Sequence, residues 1–122
     1  MRRTVLSALA AAAIAAAVFL VPAQATSSMS SHRLTGEVGP GFTIEVKKGG
    51  KDVKTLRAGT YTIKVSDKGN IHNFHLLGPG VSKKTGVSFT GSKTWTIKLK
   101  KGRYTYRCDV HAATMKGHFR VI

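Results

Sequence analysis

Residues Tyr104–Val121 read YTYRCDVHAATMKGHFRV, a segment in which two alternating patterns flank a short loop. Apolar residues occupy every second position at its two ends: Tyr104, Tyr106 and Cys108 before the loop, Phe119 and Val121 after it. This period of two is typical of β-strands that bury one face and expose the other. The loop between them carries Cys108, His111 and Met115. The segment therefore predicts two strands joined by a loop with three side chains that can donate to a metal.

The same alternation recurs in earlier segments. Their apolar positions are Phe42, Ile44 and Val46; Tyr61, Ile63 and Val65; and Trp95, Ile97 and Leu99. Turn signals such as Gly39-Pro40-Gly41 and Gly78-Pro79-Gly80 separate the segments, and no stretch after residue 33 has a helical period. Antiparallel strands over a single core produce this pattern. We therefore predict an all-β fold, a Greek-key β-sandwich or barrel of about seven to eight strands.

The N-terminal residues have a different composition. Arg2-Arg3 precedes an apolar, Ala-rich run from Val5 to Val21, and Ala23-Gln24-Ala25 matches a small-x-small cleavage site. We predict a secretory signal peptide at 1–25, a flexible tether at 26–33 and one domain at 34–122. The protein would then be exported to the periplasm or the extracellular space. An uncleaved membrane anchor is the alternative, since the run has about the minimum length of a membrane span.

Length and charge exclude several classes of protein. A chain of 122 residues has room for one domain, which excludes dinucleotide-binding folds, large α/β enzymes and multi-domain oxidases. The net charge is +15, with Lys and Arg at the outward positions of most predicted strands. Because the sequence shows no basic stripe and few exposed aromatic residues, and an exported protein is predicted, such a surface does not favour nucleic acid. It favours an acidic partner protein, or association with an anionic membrane surface, and we expect a monomer.

A second segment, His72-Asn73-Phe74-His75, contains two more histidines that could bind a metal together with the loop residues. A thiolate, two imidazoles and a weak thioether are the donors of a blue copper site. A soft thiolate suits Cu(I), and imidazole suits both oxidation states of copper. A tight loop can direct Cys108, His111 and Met115 to one metal, so the remaining imidazole must come from a neighbouring strand. On a regular strand His72 and His75 face opposite sides and compete for that position.

Each of these residues also has a structural explanation. Cys108 and Met115 are residue types that often fill a core, and a single histidine in a loop is usually solvated. We interpret His75 as an outward or hydrogen-bonded structural histidine and His118 as a surface residue. His32 falls in the tether, where it is a bystander or a loose copper ligand.

The spacing Cys-x₂-His-x₃-Met, with a His-Asn pair upstream, resembles the cupredoxin family, which includes plastocyanin, amicyanin, pseudoazurin and azurin. The resemblance covers 34–122, with Gly-Thr-Tyr at 59–61 and Met-Lys-Gly at 115–117, and is greatest to small plastocyanin-like bacterial copper proteins. It differs from many relatives at two points. Three residues separate the loop histidine from the methionine, where amicyanin-like loops have two and plastocyanin-like loops four, and Val110 stands in place of a proline.

The resemblance implies a ligand set for one type 1 copper ion. Its members are His72, Cys108, His111 and Met115. The resemblance also implies that Asn73 braces the two ligand segments by hydrogen bonds. The choice of His72 over His75 follows the His-Asn pairing.

The function implied is that of a one-electron carrier between Cu(II) and Cu(I), with electrons passing through the edge of His111. The apolar residues expected around that edge are Ile71, Val110, Ala112 and Ala113. A copper carrier or storage protein without redox turnover is the alternative, and a cupredoxin fold that binds no metal is a third class. We do not expect an enzyme, because copper enzymes of this kind need a further copper centre with an open position. The histidines show no spacing for one.

Overall fold

The computed structural model describes residues 10–22 and 32–122. Residues 10–22 are exposed and contain neither helix nor strand. Most of the predicted signal peptide and tether, residues 1–9 and 23–31, lies outside the described residues. Within the described ranges, no helix has the length and apolar character needed to cross a membrane.

Residues 32–122 form an all-β structure. Its strands are β1 (Arg33–Val38), β2 (Ile44–Lys48), β3 (Lys51–Asp52), β4 (Thr55–Leu56), β5 (Gly59–Asp67), β6 (His75–Gly78), β7 (Val81–Lys84), β8 (Gly91–Leu99), β9 (Gly102–Arg107) and β10 (Lys116–Val121). The first strand begins at Arg33, the last residue of the predicted tether. Apart from β3 and β4, which have two residues each, the described strands have four residues or more. These eight longer strands agree with the predicted number of about seven to eight.

Two five-stranded sheets pack face to face. The first has the order β3-β2-β1-β5-β8 and the second the order β4-β10-β9-β6-β7. Most neighbours are antiparallel, as the alternation predicted, but β1 pairs parallel with β5 and β10 pairs parallel with β4. The alternation did not predict these two parallel pairs, because it reports which face a residue occupies and not which way its neighbour runs.

The core lies between the sheets and contains the inward positions of the long strands. Tyr61, Tyr104 and Tyr106 are buried there, while Trp95 packs against the core from a partly buried position. Phe42 was predicted to be an inward residue of β2, and this was wrong. The strand begins only at Ile44, and the Phe42 side chain is 65% exposed.

The pairing of β6 with β9 brings the two donor segments together. His75 lies opposite Arg107 and Leu76 opposite Tyr106 in this antiparallel pair. The residues just before β6 therefore run beside the residues just after β9. This register places the segment of His72 next to Cys108 at one end of the second sheet.

Candidate metal centre

The loop between β9 and β10 is closed by its own backbone. Cys108 N–H donates to the carbonyl of Met115 at 3.0 Å, and His111 N–H donates to the carbonyl of Cys108 at 3.2 Å. A further turn follows, in which Met115 N–H donates to the carbonyl of His111 at 2.8 Å. These bonds give a short loop a defined shape, so that Cys108 is fully buried and His111 is partly exposed at the end of the sandwich.

The second donor segment approaches this loop through a turn in which His72 N–H donates to the carbonyl of Gly69 at 3.3 Å. The next residue, Asn73, directs its backbone N–H at Cys108 Sγ, 3.4 Å away. Such a hydrogen bond orients a sulfur ligand and tunes its donation to a metal.

Three donor atoms converge at this point. His72 Nδ1 lies 3.1 Å from His111 Nδ1, and Cys108 Sγ lies 3.8 Å and 3.6 Å from these two nitrogens. A point equidistant from the three atoms lies about 2.0 Å from each, close to the length of a metal–imidazole bond and slightly short for a metal–thiolate bond. The trigonal His₂Cys donor set with this spacing fits copper.

The His72 ring occupies a space that two glycines leave open. A methyl group added at Gly69 would lie 2.9 Å from His72 Cδ2, and one added at Gly39 would lie 3.2 Å from it. The ring is fully buried, and its Nε2 has no hydrogen-bond partner among the described residues. Packing, rather than a hydrogen bond at Nε2, therefore holds the ring with Nδ1 directed at the other donors.

Phe42 covers the two imidazoles from the solvent side. Its ring packs edge-on against His72 at 5.3 Å and against His111 at 5.0 Å between ring centroids. The sequence prediction had placed this residue in the core. The signal that could have found it is the Gly39-Pro40-Gly41 turn directly before it, which separates it from the strand that follows.

Met115 is buried at the C-terminal end of the loop, with 1% of its surface exposed. Its backbone pairs with both Cys108 and His111. Its role as the fourth, axial ligand stays a prediction.

Asn73 links the two donor segments, as the family resemblance implies. Its side-chain oxygen accepts the backbone N–H of Asp109 at 2.7 Å, and its Nδ2 donates to Asp109 Oδ2 at 2.9 Å. Since Asp109 follows Cys108 and Asn73 follows His72, this pair of bonds fixes the two ligand segments relative to each other.

Asp109 extends this link to a buried histidine. His75 Nδ1 lies 2.9 Å and 3.0 Å from the two carboxylate oxygens, and His75 Nε2 lies 3.0 Å from Ser82 Oγ. Because a carboxylate only accepts, His75 carries a proton on Nδ1. Partial burial raises the pKa of Asp109, but hydrogen bonds from Asn73, His75 and Arg107 outweigh it and hold that pKa well below its ordinary value. We name Asn73, Asp109, His75 and Ser82 the loop clamp. Sequence reasoning missed Asp109, since only the register of β6 against β9 brings His75 to it.

Replacing Asp109 by alanine is expected to lower the free energy of unfolding of the metal-free protein by about 2 kcal/mol, since buried donors of His75 and Asn73 lose their acceptor. Urea unfolding followed by the fluorescence of Trp95 measures the change. Asp52→Ala is the matched control, because Asp52 is exposed in β3, and its effect should stay within about 0.5 kcal/mol. Equal losses in the two variants would contradict the role of the clamp.

The remaining histidines lie away from the three donors. His118 is exposed in β10, as predicted. His32 packs its ring against Tyr61 with centroids 5.0 Å apart. His75, one of two candidates for a ligand position, lies in the loop clamp, hydrogen-bonded and 8% exposed.

Comparison with solved structures finds the same architecture in copper proteins. The copper protein rusticyanin is 26% identical, with 74% of this chain and 76% of that chain covered and a TM-score of 0.56. Rusticyanin from Thiobacillus ferrooxidans, in another structure, is 27% identical over the same shares with a TM-score of 0.52. Auracyanin from the photosynthetic bacterium Roseiflexus castenholzii is 20% identical, with 75% and 98% covered and a TM-score of 0.55, and supports the fold alone.

No protein-family model and no curated protein sequence matches the chain. The assignment therefore rests on structure. The two-sheet sandwich, the convergent His72, Cys108 and His111 side chains and the similarity to rusticyanin together support a blue copper protein of the cupredoxin type.

Proposed function

We propose that this protein is an exported one-electron carrier that binds one copper ion through His72, Cys108, His111 and Met115. The observation that carries the proposal is the convergence of the two Nδ1 atoms and Cys108 Sγ within 4.8 Å of one another. One matched structure is of reduced rusticyanin, which supports redox turnover in a protein of this fold. Copper, when bound, supplies the Cu(II)/Cu(I) couple.

The chain's own residues favour fast electron exchange over ligand exchange. Cys108 and His72 are fully buried, so their side chains have no contact with solvent. The Asn73 N–H bond to Cys108 Sγ withdraws electron density from the thiolate, which favours the reduced state. The loop clamp holds the donor segments in place, so a change of oxidation state requires little movement of the protein.

Electrons would pass through His111, the donor that is partly exposed. The exposed Phe42 ring packs against it, and two more apolar side chains that are more than half exposed, Ile71 and Val110, directly precede His72 and His111 in the chain. A small apolar surface of this kind suits brief docking, because redox encounters bury little area. The partner would be an acidic protein, given the excess of basic residues.

We also propose that the protein is exported. Residues 1–25 would be the signal peptide, 26–33 the tether and 34–122 the copper domain, which would work as a monomer in the periplasm or outside the cell. We propose a carrier rather than an enzyme.

A reconstitution experiment tests the function. Cu(II) is added to the metal-free protein, and the visible and electron paramagnetic resonance spectra are recorded. The protein is then reduced with ascorbate and reoxidised with hexacyanoferrate(III) over several cycles. An intense blue or green thiolate-to-copper band that disappears and returns in each cycle is expected. Copper that is bound without cycling, and passed to a Cu(I) chelator, would instead indicate a copper carrier or storage protein.

A further inference from the structure

The outer face of the second sheet carries a cluster of basic side chains set by strand register. Arg107 lies opposite Lys116 and Arg103 opposite Arg120 across β9 and β10, and Lys84 of β7 lies in the same row as Arg107. The alternate residues of β9 and β10 are buried in the core, so the four basic side chains of these strands point outward, and Lys84 is exposed in β7. We name Lys84, Arg103, Arg107, Lys116 and Arg120 the basic face.

This arrangement is unfavourable for the isolated protein. Like charges directly opposite each other in a sheet destabilise the pair. Among the described residues, the basic face has one ion pair, between Arg107 and Asp109 at 2.9 Å. The Asp109 carboxylate is shared with Asn73 and His75.

The acidic residues lie elsewhere. The chain has five Asp and Glu residues, and four of them are in strands of the first sheet: Glu37, Glu45, Asp52 and Asp67. Two of these form ion pairs there, Glu45 with Lys47 at 3.0 Å and Glu37 with Lys68 at 2.9 Å. The fold therefore places mixed charges on one sheet and leaves a positive field on the other.

The basic face adjoins the metal centre. Arg107 and Lys116 directly flank the ligand loop, and the face continues along β10 for about 14 Å to Arg120. A depression lined by Arg103, Thr105, Lys116 and His118 lies between the two rows. Arginine presents paired N–H donors that match a carboxylate, so this surface suits projecting Asp and Glu side chains.

We propose that the basic face is the docking surface for an acidic protein partner, which rests on the proposed function and adds the surface that such a partner would use. A partner held along β9 and β10 would lie beside the ligand loop. A membrane surface fits less well, because the face itself contains no large apolar side chain, and the exposed Phe42, Ile71 and Val87 lie outside β9 and β10. An apolar anchor is what an interfacial protein inserts into lipid.

Two double variants of equal net charge test the proposal. Arg103→Glu/Arg120→Glu reverses the charge of the two basic-face residues that lie farthest from the ligand loop. Because these residues lie opposite each other, the variant still has a pair of like charges there. Lys64→Glu/Lys98→Glu makes the same change of charge on exposed residues of the first sheet. Binding to poly-L-glutamate is measured at low ionic strength for both variants and for the parent protein. Binding to phosphatidylcholine vesicles with and without phosphatidylserine is measured in parallel.

We expect the basic-face variant to bind poly-L-glutamate about tenfold more weakly than the first-sheet variant, with neither variant losing the copper band. Equal weakening would show that net charge alone drives binding and would overturn the proposal. The proposal would also be overturned if the parent protein and the first-sheet variant bound phosphatidylserine vesicles and the basic-face variant did not, because the occupant of the face would then be a membrane. A copper centre that does not cycle would overturn the proposed function. If poly-L-glutamate binding were nevertheless weakened only in the basic-face variant, the result would still support an acidic partner at this face, but not a role for that partner in electron transfer.

Discussion

Copper(II) added to the Cys108→Ser variant is expected to give a nearly colourless protein, whereas the parent chain becomes intensely blue or green. The band requires charge transfer from a soft thiolate, and a serine oxygen is a harder and weaker donor. Cys108 Sγ is one of the three atoms that converge among the described residues, so affinity for Cu(I) should fall by more than about 100-fold. Visible absorption, electron paramagnetic resonance and competition with a Cu(I) chelator measure the change.

A control separates this effect from general damage to the domain. His118→Gln alters an exposed histidine of β10 that follows the same loop, and it should leave the band and the affinity unchanged. The circular dichroism of Cys108→Ser should keep its β-sheet signal, because serine is similar in size and can accept the Asn73 N–H bond. If the variant retained an intense band, Cys108 would not be the thiolate donor.

Gly117→Ala is expected to destabilise the protein by about 3 kcal/mol, at the upper end of the usual cost of overpacking. Gly117 lies directly opposite Tyr106 across β9 and β10, and an added methyl group would overlap the Tyr106 ring. The ring cannot move aside easily, because Phe74 stacks against it at 6.2 Å and Phe119 at 6.4 Å between centroids. Urea unfolding of the metal-free protein measures the loss.

Gly41→Ala is the matched control for this substitution. A methyl group at Gly41 meets no atom within 4 Å, so its effect should stay within about 0.5 kcal/mol. Tyr106→Leu combined with Gly117→Ala should be less destabilised than the sum of the two single changes, since the smaller side chain removes the overlap. Strict additivity would show that the Tyr106 ring is not the cause.

Local patterns predicted most of the strands but not how they pair. Alternation of apolar and polar residues depends only on the two faces of a sheet, so it identified the long strands and most core residues. It is the same for parallel and antiparallel neighbours, and the parallel pairing of β1 with β5 was therefore not predicted. It also misplaced Phe42, because a residue after a turn can continue an alternating pattern without belonging to the strand.

The metal site was predictable in its chemistry and only partly in its geometry. Cys108 and His111 lie on one loop, and their residue types point to a soft metal without any knowledge of the fold. The argument that His72 and His75 face opposite sides of a strand does not apply as stated, because β6 begins at His75 and His72 lies in the turn before it. Their different roles come from the contacts that each ring makes.

The sequence by itself determined the donor types, the β architecture and the excess of basic charge, because each depends on residue identity and short-range spacing. The tertiary structure alone decided that three donor atoms meet at one point, that Asp109 joins His75 to the ligand loop, and that the acidic residues gather on the first sheet. The first two of these features depend on pairings between residues more than thirty positions apart, such as His75 with Arg107. Such pairings result from competition among all strands for one shared core, which no local pattern records.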